Sequence, residues 1–118
     1  MIMNSPITTH VLDTMRGKPA SGVPIMLEQK SGADWKQLGK SMTGTDGRAV
    51  DLLAENFQLH PGVYRLTFDT LAYFATSGQP TFFPYVQIVF EVHPDKSGQH
   101  FHVPLLLSPF GYSTYRGS

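Results

Sequence analysis

The chain has 118 residues, 41% hydrophobic and 15% charged, the proportions of one globular domain covering residues 1–118. Lys and Arg together number 9, as do Asp and Glu, which removes the positive field that nucleic acid or an anionic membrane surface requires. Cysteine is absent, so a disulfide framework and a thiolate nucleophile are excluded, and the composition fits a reducing compartment.

The N-terminal "MIMNSPITTHVLD" has no basic region followed by an apolar run, so no secretory leader is expected and the location read from the sequence is cytoplasmic. The apolar stretches are too short to span a bilayer. "ITTHVLD" alternates, with Ile7, Thr9 and Val11 on one face and Thr8, His10 and Leu12 on the other. A Gly-Pro-Ser loop, "GKPASG", leads to "GVPIMLEQ", which places Val23, Ile25 and Leu27 together. "DWKQLGKSMT" is the next strand. In "TGTDGRAV" the pair Asp46-Gly47 is a hairpin signal, with Arg48 directly after it.

"GVYRLTFDT" sets Tyr64, Leu66 and Phe68 against Arg65, Thr67 and Asp69. "LAYFATSG" is the sole helical candidate, about two turns long. "PYVQIVFEV" aligns Val86, Ile88, Phe90 and Val92. "QHFHVPLLL" follows, and its internal Pro104 implies a sheet edge or a local irregularity. "GYSTYR" is the last strand. Regularly spaced strands with one short helix predict an all-β fold, an antiparallel β-sandwich.

Phe101, Val103, Leu105 and Leu107 share one face of their strand, and His100 and His102 share the other. His10 faces outward on the first strand. Outward histidines are commonly solvated, but three of them converge if their faces meet. Neutral imidazole is the natural general base near neutral pH. Arg48 suits a developing oxyanion because it stays charged and offers several donors, although an arginine beside a hairpin is more often simply hydrated. A zinc site built from His10, His100 and His102 is a second possibility, without cysteine or HExxH spacing to support it. A GxSxG elbow and a Gly-rich phosphate loop are absent, and the carboxylates are scattered.

Three stretches in order, "ITTHVLDTMRGKPASGVPIMLE", "TGTDGR" and "HFHVPLLLSPFGYSTYRGS", run from residue 7 to residue 118. They resemble the signatures of the 5-hydroxyisourate hydrolases, the transthyretin-related enzymes of urate breakdown. The resemblance implies a transthyretin-like (prealbumin-like) sandwich of two four-stranded sheets, with one short α-helix after the fifth strand. It implies a homotetramer, a dimer of dimers, with sites at the dimer–dimer interface. The family's catalytic positions fall on His10, Arg48, His102 and Tyr115. Substrate contacts fall on His10, Arg48, Tyr115, Arg116 and Ser118, and Gly117 completes the terminal motif. Phe101 and Phe110 stand where tyrosine is common.

The implied reaction opens the six-membered ring of 5-hydroxyisourate to 2-oxo-4-hydroxy-4-carboxy-5-ureidoimidazoline. No cofactor and no metal are implied. Histidine-activated water attacks while the arginine stabilises the oxyanion. A non-catalytic tetramer holding a small aromatic ligand is the alternative. The hormone carrier transthyretin lacks the terminal Tyr-Arg-Gly-Ser and the catalytic histidines, and this chain keeps both.

Overall fold

Alternation of apolar and polar side chains dictates which face each strand buries, and the computed structural model, which describes residues 5–118, follows it closely. The first four residues of the N-terminal stretch read above as lacking a leader lie outside the described residues. The strands are β1 (Ile7–Asp13), β2 (Lys18–Pro19), β3 (Pro24–Ser31), β4 (Asp34–Met42), β5 (Arg48–Ala49), β6 (Gly62–Phe68), β7 (Val86–Val92), β8 (Phe101–Ser108) and β9 (Gly111–Thr114). One helix, α1, spans Thr70–Ala75, and a single 3-10 turn covers Pro94–Lys96.

Two sheets stack face to face. One runs β2-β1-β8-β9, with β5 added on β1, and the other runs β4-β3-β6-β7. The expected sandwich of two sheets with one short helix is therefore present, with the small β5 enlarging one sheet. Ile7, Val11, Leu105 and Leu107 from the first sheet meet Leu27, Tyr64, Leu66 and Phe68 from the second, with Val23 just before β3, all essentially without solvent exposure. Burial of each large aliphatic side chain contributes about 1.5–3 kcal/mol, so this interior holds the two sheets together.

Three details depart from the simplest reading. The central pair β1–β8 is parallel, in register from Ile7 opposite Phe101 to Asp13 opposite Leu107, whereas the other strand pairs are antiparallel. The Asp46-Gly47 turn forms, but it does not make a hairpin of its flanking strands. β4 ends at Met42, and β5 pairs with β1 instead, Arg48 opposite His10. Pro104 lies inside the sheet rather than at its edge. Pairing from β9 stops at Leu105–Thr114, so no ladder bond from that side calls for its missing N–H. The Thr114 hydroxyl donates to the Pro104 carbonyl at 2.7 Å.

The helix begins where Asp69 accepts a hydrogen bond from Ala72 N at 3.0 Å, an N-cap that satisfies one orphan donor. Its Tyr73 reaches the end of β1 and donates to Asp13 at 2.7 Å. Among the described residues no helix is long and apolar enough to cross a membrane.

Candidate active site

Parallel pairing of β1 with β8 places Thr8 opposite His102, and pairing of β1 with β5 places Arg48 opposite His10. Side chains of even number on β1 leave the core, as does His102 on β8. The outer face of one sheet therefore gathers His10, Arg48 and His102 from three strands far apart in sequence.

The loop before Arg48 is held against β1. Val11 N donates to Gly47 O at 2.8 Å, and Gly47 N donates to Gly44 O at 2.9 Å. Gly47 has φ +79°, and a Cβ there would stand 2.5 Å from the Val11 carbonyl oxygen and 3.2 Å from the His10 ring, so only glycine permits this approach. Asp46 caps the turn by accepting from Arg48 N at 3.0 Å. The Asp46 carbonyl lies 2.8 Å from His10 Nε2. A carbonyl only accepts, so Nε2 of His10 carries a hydrogen, and in the neutral ring the lone pair is on Nδ1.

His102 is half-buried, and its Nδ1 lies 2.8 Å from Thr8 Oγ1. The same hydroxyl lies 2.9 Å from Nε2 of His100, whose ring stands roughly parallel to that of His102 with centroids 6.3 Å apart. Thr8 itself is 2% exposed, whereas His100 is open to solvent. Burial holds the His102 pKa below the ordinary imidazole range, and the charges of Arg48, His100 and His10 push it the same way. His102 is thus a neutral imidazole at neutral pH, with Nε2 making no hydrogen bond among the described residues.

The chain terminus contributes by close contact. Gly117 N donates to His102 O at 2.8 Å, an isolated antiparallel bridge. A Cβ on Gly117 would stand 2.6 Å from Cδ2 of the His102 ring, so the backbone of the tail packs directly on that imidazole. The preceding side chains point elsewhere. Tyr115 and Arg116 line a groove of about 440 Å³ at the open side of the sandwich, shared with Ile88, Phe90, Phe101 and Val103. Arg116 stacks over the Phe101 ring at 4.7 Å and donates to Gln99 at 3.0 Å. Within one chain, then, His10, Arg48 and His102 come together with Gly117, while the Tyr115 and Arg116 side chains line a different surface. Ser118 follows Gly117 directly.

Among the described residues no group of three or more His, Cys, Asp or Glu side chains is placed to hold a metal ion. The Thr8 hydroxyl stands between the ring nitrogens that a three-histidine zinc site would need to converge. Sequence reasoning missed Thr8. Its sole signal was its place two residues before His10, on the same face of the strand.

The HIUase/Transthyretin family profile matches residues 7–117. Over nearly its whole length the chain is 49% identical to the 5-hydroxyisourate hydrolase of Mus musculus, covering 98% of this chain and 97% of that protein. It is 48% identical to the uric acid degradation bifunctional protein TTL of Arabidopsis thaliana, covering 96% of this chain but only 37% of that longer protein. Among solved structures, the Klebsiella pneumoniae 5-hydroxyisourate hydrolase superposes with a TM-score of 0.82 at 38% identity, covering 95% of this chain and 97% of that one. Sea bream transthyretin in complex with thyroxine gives 0.87 at 35% identity, with 95% and 94% covered. The chain belongs to the HIUase/transthyretin family.

Proposed function

We infer that this chain is a 5-hydroxyisourate hydrolase of urate degradation, and the observation that carries the reading is the neutral, half-buried His102 set beside Arg48 and His10 on one sheet face. The relatives with that name match over almost the full chain. Thyroxine-bound sea bream transthyretin shares the fold at 35% identity, so the choice between turnover and binding rests on the site itself. A passive apolar carrier has no use for two histidines and an arginine converging on the outer face of a sheet, which favours turnover over simple binding.

In the proposed reaction His102 Nε2 takes a proton from water, whose oxygen adds to a ring carbonyl of the substrate. Help of this kind is worth about 10²–10⁴-fold. Arg48 donates to the oxygen that gains negative charge, a contribution of roughly 3–4 kcal/mol for one good donor. His10 is held by the Asp46 carbonyl and orients the water or the substrate through Nδ1. Collapse of the adduct breaks the C–N bond, and the leaving nitrogen takes up a proton. The residues themselves supply the base and the oxyanion partner, so the scheme requires no metal or cofactor.

Tyr115, Arg116 and Ser118 are proposed as substrate contacts within a homotetramer. In a dimer of dimers, two-fold symmetry brings the same outer face from neighbouring subunits together, so side chains remote from His102 in their own chain can reach a site on another. A cytoplasmic location is proposed with it.

The test is the ultraviolet absorbance decay of freshly generated 5-hydroxyisourate. Wild-type protein is expected to accelerate it strongly and His102→Ala to leave it near the spontaneous rate. Equal acceleration by both would move the base away from His102. No acceleration by properly assembled wild type would overturn the hydrolase reading in favour of ligand binding.

A further inference from the structure

The Thr8 hydroxyl faces two ring nitrogens at once, Nδ1 of His102 at 2.8 Å and Nε2 of His100 at 2.9 Å. A hydroxyl has one hydrogen, so it donates to one of these and accepts from the other. Two arrangements satisfy both contacts. In the first, His102 Nδ1–H donates to Thr8, Thr8 donates to His100 Nε2, and Nε2 of His102 keeps its lone pair. In the second every hydrogen has moved one place, so that His100 Nε2–H donates to Thr8, Thr8 donates to His102 Nδ1, and His102 carries its hydrogen on Nε2. The hydroxyl therefore ties the protonation of the two rings together.

We propose that Thr8 is a positioning residue and the middle link of a proton path from His102 to the solvent-exposed His100. This rests on the hydrolase reading, with His102 as its base. The first arrangement precedes chemistry, because a base needs a free Nε2. As water attacks, one of its O–H bonds breaks and the proton bonds His102 Nε2. The Nδ1 proton passes to Thr8 Oγ1, and the Thr8 hydrogen passes to His100 Nε2. His102 and Thr8 end neutral, and the positive charge rests on His100. When the C–N bond breaks, the leaving nitrogen takes the Nε2 proton and the same moves run backwards, restoring the first arrangement. No other reactant is needed.

The environment favours this direction. The groups that act on His102 are Arg48 on β5, His10 on β1 and His100, and with burial they all oppose a cation on its ring. His100 is exposed, where water stabilises a charge. Thr8 is 2% exposed, so no solvent molecule is required to bridge the two rings.

The path is tested by following the ring nitrogens of ¹⁵N-histidine-labelled protein across about pH 5 to 8. At the upper end His102 is expected to carry its hydrogen on Nδ1. As His100 takes up a proton, that hydrogen should move to Nε2, and in Thr8→Val the movement should no longer follow His100. In turnover, Thr8→Val should lower kcat by about 10- to 100-fold, as loss of a partner that orients a working histidine does, with little change in KM. Thr8→Ser, which restores the hydroxyl, should recover most of the rate. The double variant Thr8→Val/His100→Gln should be no slower than Thr8→Val, because both remove one path.

His102 protonated on Nε2 throughout in the wild type would overturn the proposal, as would losses that multiply in the double variant or a Thr8→Ser as slow as Thr8→Val. Should Thr8→Val fail to fold, the wild-type spectra and Thr8→Ser still decide. If the wild type does not hydrolyse 5-hydroxyisourate, the functional reading fails, while the spectra separately report whether the two rings are coupled.

Discussion

Strand β1 carries a buried polar cluster at each end, and the two are built on opposite plans. At Asp13, which has no solvent exposure, both carboxylate oxygens are taken: Oδ1 accepts from Met15 N and Arg16 N at 3.0 Å, and Oδ2 accepts from the Tyr73 hydroxyl at 2.7 Å, with Arg16 Nε at 3.7 Å. That cluster is closed. It fastens the end of β1 to its following turn and to α1, and with no solvent exposure it presents no atom to a ligand. At the other end, Thr8 is equally buried, but each ring it holds keeps a second nitrogen free of partners among the described residues. The contrast separates a fastener from a site. A buried polar group that its own chain saturates contributes stability, whereas one held by half its valence and left with a lone pair is prepared for chemistry.

Substitutions at the open end should remove rate and leave the fold. His102→Ala is expected to lower kcat/KM by about 10²–10⁴-fold with an unchanged unfolding transition. Arg48→Gln should cost roughly 10²–10³-fold in kcat, the effect of losing one oxyanion donor. Gly117→Ala tests the tail: the added methyl meets the His102 ring at 2.6 Å, and displacing a catalytic group by about 1 Å costs on the order of 10²-fold. An unaltered rate in Gly117→Ala would show that the tail's seat on His102 does not matter.

The closed end should behave in reverse. Tyr73→Phe leaves one oxygen of the buried Asp13 short of a donor and is expected to cost about 1–3 kcal/mol in denaturant unfolding, with turnover per folded molecule unchanged. A loss of rate larger than the loss of folded protein would break the distinction between the two ends.

Stability against pH should sharpen the comparison with smaller effects of opposite sign. Burial, with the Asp13 hydrogen bond and charge adding to it, raises the Tyr73 pKa to about 12 from an ordinary 10.0. Tyr73 stays protonated longer folded than unfolded, so its contribution is full below pH 10.0 and is lost as pH rises through about 12. The His102 pKa is lowered from 6.5 by burial first and then by Arg48, His100 and His10. The unfolded chain therefore binds that proton more readily, and the His102 contribution is full above pH 6.5 and is lost as pH falls through the lowered folded value. Thermal unfolding scans of wild type and Tyr73→Phe should diverge least at the alkaline extreme.

Much of this was legible beforehand. The alternation around Ile7, Val23, Tyr64 and Leu105 named the core faces, because period two leaves no other way to bury them. The three motifs singled out His10, Arg48 and His102, and strand pairing brings them to one sheet face. The sequence did not carry the parallel partnership of β1 and β8, since residues more than ninety positions apart give no local signal of which strand lies beside which. The Asp46-Gly47 turn was legible, but its exit strand pairs with β1 through contacts that a turn signal does not encode. Thr8 stayed hidden for the same reason: its importance comes from standing opposite His102, a fact of register rather than of residue type. The Tyr115 and Arg116 side chains came from motif alone, and their place in the groove beside Phe101 is set by the tail's path along the sheet edge.

The proposed role of His102, a neutral base on the outer face of its sheet, is measured most directly by the pH dependence of kcat for 5-hydroxyisourate hydrolysis. Activity should hold steady at and above neutral pH and fall on the acid side, since burial and the neighbouring Arg48 disfavour a proton on the ring. A rate that shows no fall with acid while the protein stays folded, or one that already falls with acid above the ordinary imidazole range, would contradict it.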